Sequence, residues 1–376
     1  MFRLVLCLVV FWNVENYFDP FDDPLTRDES FTPQGYFAWT WNRFIKKRND
    51  LAKTIIACGL QDDGTWEAPC IVGLCEIENF FVLYQLVTDS PLAPLEYGII
   101  HRDSPDPRGI DVALLYKKSL FRPLKVGFYL PRRAPVGASA PGALPEPDGA
   151  LPTRDSASAS GTLFATGASA SEQNALHDTA SDAAHQSVLG VPAATREVLY
   201  VKGIYAGRDT LHFFVNHWPS KLGGTAAEAL RMSASQVVQQ AVDSILTECP
   251  LARIVVMGDF NDSPKSAAVR SLEKDRLVNV SAGNTYKFRG AWDCIDQFLV
   301  TPSVQESLEY VKVVRLPFLL EPDPTYMGQK PRRTYLGPAY KGGISDHLPI
   351  SLKIITFTDY VQESRKHPAY EAVFCP

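Results

Sequence analysis

The sequence predicts an α/β fold, a layered sandwich in which two β-sheets pack face to face with helices outside. Three observations carry this. Short apolar runs alternate along the chain with helix-patterned stretches. The runs are rich in Val, Ile, Leu and Phe, as strands buried on both faces are. Ala234, Val238, Ala241 and Ile245 recur at steps of four, three and four, which makes one apolar stripe of a helix. The chain has 376 residues, 45% hydrophobic and 21% charged, an ordinary globular composition. Its net charge of -5 excludes a global basic field for nucleic acid or an anionic membrane, so a polyanion needs a local patch. No run approaches the ~20 apolar residues of a membrane span.

The first element is the run Leu4–Trp12 in "MFRLVLCLVVFWNVENYF". One basic residue and an apolar stretch also describe a secretory signal, but Val10, Phe11 and Trp12 are too large for a cleavage site. We read the run as the first core strand, ending at Asn13, with Glu15 and Asn16 following. A helix is expected over Asn42–Cys58, then a strand over Pro69–Leu74. "IVGLCEIENF" places Glu76 and Glu78 at that strand's end, on one side of extended backbone. Paired carboxylates among oxygen-rich neighbours suit a hard divalent cation, Mg2+ or Ca2+. Glu76 is the expected ligand; Glu78 reads equally as a solvated helix-start acid. The strand Ile110–Tyr116 follows, with Asp106, Arg108 and Asp111 around its start. Asp111 either orients a histidine, His217, or pairs with Arg108.

From about 134 to 194 the chain turns to Ala, Ser, Gly and Pro, a composition that cannot bury enough apolar area to offset ordering. We expect a flexible insertion inside one domain spanning 1–376, because chemical motifs lie on both sides of it and must meet. Beyond it come strands at Val198–Tyr205 and Thr210–Val215. "LHFFVNHWPSKLGG" then sets His217 directly after a strand, with Asn216, Ser220 and Lys221 able to bind phosphate. The striped helix is expected over Ala226–Thr247.

"RIVVMGDFNDSP" continues a strand, Arg253–Met257, into Asp259 and Asn261, two apart and therefore on one side. Such a pair can orient a water and hold a phosphoryl oxygen; the same residues also form plain turns. The strand Cys294–Val300 in "WDCIDQFLV" carries Asp296, a carboxylate costly to bury without a partner. "YKGGISDHLPIS" supplies one: His347, beside Asp346 and ahead of the strand Ile350–Ile355. Asp296 would fix the tautomer of His347 and raise its pKa. Carboxylates, amides and two histidines at strand ends, with no GxxxxGK loop, point to metal-assisted hydrolysis of a phosphate ester. The seven cysteines, an odd count with no CxxC pair, read mostly as reduced buried thiols. That favours a reducing, cytoplasmic compartment, with export open where an upstream signal is missing. A monomer is expected.

"WNVEN", "GLCEIEN", "RGIDVALLY", "NHWPSK", "GDFND", "IDQFLV" and "SDHLP", in this order, resemble the endonuclease/exonuclease/phosphatase superfamily. The resemblance spans nearly the whole chain apart from the insertion. It implies a four-layered α/β sandwich of two mixed sheets flanked by helices, and Mg2+-dependent cleavage of phosphodiesters or phosphomonoesters, with Mn2+ or Ca2+ as substitutes. Glu76 resembles the family's metal-binding glutamate and Asn13 the amide near metal and phosphate. Asp259 matches the aspartate that aligns or deprotonates water, Asn261 the phosphate-holding amide, His347 the essential histidine, Asp296 its orienter and Asp346 a metal-side acid. His217 falls where the deoxyribonucleases have histidine and could protonate the leaving group. Ser220 departs from the asparagine of the abasic-site enzymes. Substrate binding is expected from Asn261, Ser220, Arg108 and Asp111. "YMGQKPRRTYLGPAYKGG" interleaves Lys330, Arg332, Arg333 and Lys341 with Tyr326, Tyr335 and Tyr340, which suits DNA or RNA. A nuclease is therefore the first expectation, with an inositol-phosphate or sphingomyelin-type hydrolase as the alternative and a non-catalytic scaffold a distant third.

Overall fold

Two six-stranded sheets form the centre of the molecule. The computed structural model describes residues 4–133, 191–193, 195–273, 276–281 and 283–357. The sheet strands are β1 (Leu4–Tyr17), β2 (Ile71–Ile77), β3 (Tyr97–His101), β4 (Asp111–Lys117), β5 (Phe121–Tyr129) and β6 (Val198–Tyr205). They continue with β7 (Asp209–His217), β8 (Arg253–Asp259), β9 (Val278–Asn279), β10 (Asp296–Val300), β11 (Leu308–Val313) and β12 (Ile350–Phe357). One sheet runs β11-β12-β1-β2-β4-β3, the other β9-β10-β8-β7-β6-β5. Each is mixed: β1 with β2, and β7 with β8, are parallel, and their other partners are antiparallel.

The apolar run at the start makes the reason for this layering visible. Along β1, Cys7, Val9 and Phe11 enter the core between the sheets, while Val10, Trp12 and Val14 enter the core under the helices. Side chains alternate across a strand, so a strand buried on both faces must be apolar at every position. The inter-sheet core joins Val9, Phe11, Ile71 and Leu114 to Phe213, Val255, Met257 and Phe298. Two helices, α1 (Trp41–Ala57) and α2 (Phe80–Thr88), cover the first sheet through Phe44, Leu51, Ile55, Leu83 and Leu86. Asn79 caps α2, its side chain accepting from the Val82 N–H at 3.1 Å. The second sheet is covered by α3 (Gly224–Glu248) and α4 (Ala267–Glu273), through Ala234, Val238, Val242, Ala268 and Leu272. The fold is a four-layered α/β sandwich.

Both expected helices and all eight expected strands form. The opening strand runs past Trp12 to Tyr17, and the strand expected from Cys294 starts at Asp296. The insertion expected over 134–194 lies outside the described residues, 191–193 apart. At its borders Arg132–Arg133 pairs antiparallel with Val191–Pro192, so the chain leaves and re-enters the described fold at one place. Cys7, Cys58, Cys70, Cys75 and Cys294 are free thiols, whereas Cys249 is in a disulfide.

Candidate active site

The central strands of both sheets end together, and their ends carry the polar residues. In the second sheet, Asp259 ends β8 and lies opposite His217, which ends β7, and opposite Asp296, which starts β10. Gly258 makes this row possible: a Cβ there would lie 2.5 Å from both Cβ and the carbonyl oxygen of Asn216 on β7. In the first sheet, Asn13 pairs with Cys75, beside Glu76. The ladder then slips on both strands. Glu15, Asn16 and Glu76 adopt φ of 52°, 53° and 62°. Left-handed backbone is costly for such residues and clusters at functional sites; the bulges turn these side chains off the sheet. The Ser345 hydroxyl donates to the Asn13 carbonyl at 2.7 Å and accepts from the His347 N–H at 3.0 Å. The Trp12 indole donates to the His347 carbonyl at 3.0 Å. His347 is thereby tied to β1.

Five polar atoms face one another without bonding. His217 Nε2 lies 3.9 Å from Glu76 Oε1 and 3.8 Å from Asp259 Oδ2. His347 Nε2 lies 3.9 Å from Asp259 Oδ2 and 3.9 Å from Asp346 Oδ1. These spacings are too long for direct hydrogen bonds and leave room for a bridging water or substrate oxygen. Around them the geometry is tight. His347 Nδ1 is 2.7 Å from Asp296 Oδ2, which also accepts from the Thr285 hydroxyl. The Asn13 amide donates to Asp259 at 3.0 Å and to Glu76 at 3.3 Å, and the Asn16 N–H donates to Glu76 at 2.8 Å.

The electrostatics separate the two histidines. Burial pushes His217 well below its ordinary pKa, and Arg196, Arg108 and His347 add to the effect, so it is neutral. Burial also pushes His347 down, but the carboxylates of Asp296, Asp259 and Asp346 outweigh it and hold His347 charged well above the ordinary value. Burial pushes Asp259 up to about 7, against the opposing charge of His347.

The donor set fits a hard divalent cation. Glu76 Oε1 and Asp259 Oδ2 both lie within 3.9 Å of His217 Nε2, and among the described residues no Lys or Arg nitrogen lies within 4.0 Å of either, whereas Asp346 is paired with Arg333 at 2.9 Å. Asp296 Oδ1, buried, has no hydrogen-bond partner. Asp259, Asp296 and His347 each offer an atom within 4.8 Å of the others; Asp296 is already committed to His347, which leaves Asp259, with Glu76 across His217 from it, as the uncommitted carboxylates.

A model of the Endonuclease/Exonuclease/phosphatase family matches residues 8–131 and 173–356. The chain belongs to the endonuclease/exonuclease/phosphatase family. It is thus a member of a family of phosphoester hydrolases that generally depend on divalent metal. No curated protein matches it. Among solved structures it is similar to an endonuclease/exonuclease/phosphatase family protein from Bacteroides thetaiotaomicron, at 13% identity and TM-score 0.53, covering 94% of this chain and 98% of that one. It is similar to a mannosyl-6-phosphatase from the same organism, at 13% identity and TM-score 0.51, covering 94% and 99%. It is also similar to the human Nocturnin catalytic domain with bound sulfate, at 13% identity and TM-score 0.50, covering 95% and 98%. At these identities the likeness is one of fold.

Set on this family's fold, the expected site residues divide. Asn13, Glu76, His217, Asp259, Asp296, Asp346 and His347 come together. Asn261 stands at φ 49° with its amide donating to the Trp218 carbonyl at 2.9 Å, so only its carbonyl end is uncommitted. Ser220 caps the short turn Lys221–Gly223, its hydroxyl accepting from the Leu222 N–H at 3.4 Å, and touches none of the cluster. Arg108 donates to the Asn16 side chain at 3.3 Å and remains exposed. Asp111 does neither thing expected of it: it is buried, accepts from the Ser104 N–H at 3.0 Å and lies 3.5 Å from His101. Glu78 is no solvated acid either. It is buried against the Asp19 N–H at 2.6 Å, and burial followed by the Asp19 carboxylate pushes it up to about 9. The lowered pKa of His217 favours its neutral form and so argues against the expected role of proton donor to a leaving group.

Sequence reasoning missed the layer behind the site. Glu15 binds Arg333 at 3.2 Å and the Thr334 N–H at 2.6 Å, while Arg333 binds Asp346 at 2.9 Å. Buried Lys47 donates to the Glu15 carbonyl and to Thr334 at 2.7 Å. The basic–aromatic stretch does not form one patch: Tyr335 is buried, Lys330 faces Glu321 at 3.5 Å, and Arg43 covers the Tyr340 ring. The aromatic wall at the site is the hairpin Tyr286–Phe288/Ala291–Asp293. The Tyr286 ring stands 4.8 Å from His347, with half-exposed Phe288 stacked on it.

Proposed function

We propose that the chain hydrolyses phosphodiesters of nucleic acid, with Mg2+ as the assisting cation. The observation that carries the reaction is the row of five polar atoms, from Glu76 through His217, Asp259 and His347 to Asp346, each 3.8 to 3.9 Å from the next. Glu76 would hold the cation, with Asn13 fixing it from the side and Asp346 as a further acid of the site, and the cation's chemistry when bound is to neutralise charge on the phosphoryl and leaving oxygens. Asp259 accepts a hydrogen bond from the attacking water and takes its proton as the new P–O bond forms. A carboxylate at about 7 suits that work near neutral pH. His347, fixed and charged through Asp296, donates from Nε2 to a phosphoryl oxygen and releases its proton to the leaving oxygen. His217, neutral, positions substrate by hydrogen bonding. Asn13 holds both Asp259 and Glu76 in place.

The nucleic-acid substrate is supported by Tyr286 and Phe288, a ring pair beside His347 on which a base can stack, and by exposed Arg108 at the rim. A panel with Mg2+ tests the reading: plasmid, single-stranded DNA, RNA, a phosphomonoester and sphingomyelin. Cleavage of a nucleic acid, weakened by salt, is expected. Turnover of the monoester or the lipid alone would replace the substrate while keeping the reaction.

A further inference from the structure

We propose a second cation site, built by His101, Asp103 and Asp111 and suited to a borderline divalent ion such as Zn2+ or Mn2+. It shares no residue with the cluster around Asp259, and Asp111 pairs with Ile77, the neighbour of Glu76. His101 ends β3 and Asp111 starts β4, and these strands pair antiparallel, so the two residues meet at the end of the sheet. The His101 side chain is only 2% exposed, and its Nε2 has no hydrogen-bond partner. A buried imidazole nitrogen left unbonded costs free energy, so it points to a missing partner. Nε2 lies 3.5 Å from Asp111 Oδ2. That is long for a hydrogen bond, yet it fits the ligand–ligand edge of about 3.4 Å expected when bonds of about 2.1 Å meet tetrahedrally. Asp103 completes the set from the ring's other side: its Oδ1 lies 3.8 Å from His101 Nδ1, and each of the three residues can offer one atom within 4.8 Å of the others.

The neighbouring cations are committed elsewhere. Arg102 binds Glu197 at 2.6 and 3.0 Å and stacks on Phe128. Arg108 turns to Asn16. Among the described residues, neither Asp103 nor Asp111 has a Lys or Arg nitrogen within 4.0 Å. Asp111 Oδ1 is fixed by the Ser104 N–H at 3.0 Å, which leaves Oδ2 to serve as ligand. Imidazole with two carboxylates, one of them exposed, leaves positions open to water and selects Zn2+ or Mn2+ over Mg2+ and Ca2+. The loop so pinned carries Asp106, which binds Arg196 at 2.8 Å, and Arg108, whose partner Asn16 holds Glu76. Occupancy would therefore stiffen the scaffold next to the catalytic cluster.

The test is calorimetric titration of the full chain with Zn2+ in excess Mg2+, alongside His101→Gln, Asp103→Ala and Glu76→Gln. One Zn2+ equivalent should bind to the native chain and to Glu76→Gln. His101→Gln and Asp103→Ala should each weaken it by at least about tenfold. Asp103 is exposed, so its variant reports even where His101→Gln fails to fold. In the native chain, Zn2+ should shift the His101 ring nitrogen resonances. Equal Zn2+ affinity in Asp103→Ala, or an unmoved His101 ring, would overturn the site.

Discussion

His347 keeps its charge in a buried place because three carboxylates surround it, and Asp296 is the one that touches it. Asp296→Asn leaves the shape and removes the charge. We expect kcat/KM to fall by about 10²–10³, while the Mg2+ concentration for half-maximal rate stays put, because Asp296 contacts His347 and Thr285 rather than Glu76. Steady-state kinetics at varied Mg2+ reads both numbers; an unchanged rate would remove His347 from the chemistry. At this scale, the residues legible in the sequence are those that close or interrupt an apolar run, such as Glu76, Asp259, Asp296 and His347. The joint role of Glu15, Lys47 and Arg333 was not legible. Their contacts join residues 287 to 318 positions apart or pass through the long side chains of a helix and a loop, and no local spacing records them. Asp111 misled because it stands at a strand start like the others, while its partner, His101, comes from the adjacent strand.

Strands buried on both faces announce themselves by composition, and edge strands do not. The structure adds β3, β5, β9 and β11 to those expected, and each lies at or next to the margin of its sheet. "FRPLKVGFY" and "LEYVKV" mix polar with apolar residues because one side meets solvent. The run "FFVLYQLVT" is too short and too apolar to separate helix from strand by period; it is α2. Two consequences belong here. Gly258→Ala should spread β7 from β8, since the added methyl meets Asn216 backbone. Activity should fall at least about tenfold, in keeping with the cost of misplaced catalytic groups, and thermal unfolding should shift down; a native melting temperature and rate would show that the row of site residues tolerates movement. Deleting residues 1–12 removes a strand held between β12 and β2. It should abolish cooperative unfolding by circular dichroism, whereas a soluble cooperative product would contradict the central place of β1.

Across the whole molecule, stability should depend on pH through a buried histidine far from the chemistry. His212 on β7 has Nδ1 2.8 Å from the Tyr200 hydroxyl, and burial, with Lys202 adding, pushes its pKa down to about 4 from an ordinary 6.5. Between these values the unfolded chain binds a proton that the folded chain refuses. The stability is whole above about pH 6.5 and lost as pH falls toward 4, roughly 2 kcal/mol between pH 7 and pH 5 from this group. Urea midpoints at the two pH values should converge in His212→Gln relative to the native chain; an equal slope in both would place the acid sensitivity elsewhere. The global architecture was readable because four layers demand apolar strands and one-sided helices, and the strand ends then have to meet. That meeting is the central claim, and hydrolysis by the native chain and by Asp259→Ala tests it most directly. With Mg2+ and a phosphodiester substrate, single-turnover rates should differ by about 10³-fold or more, with both proteins equally folded. Full activity in Asp259→Ala would contradict the account.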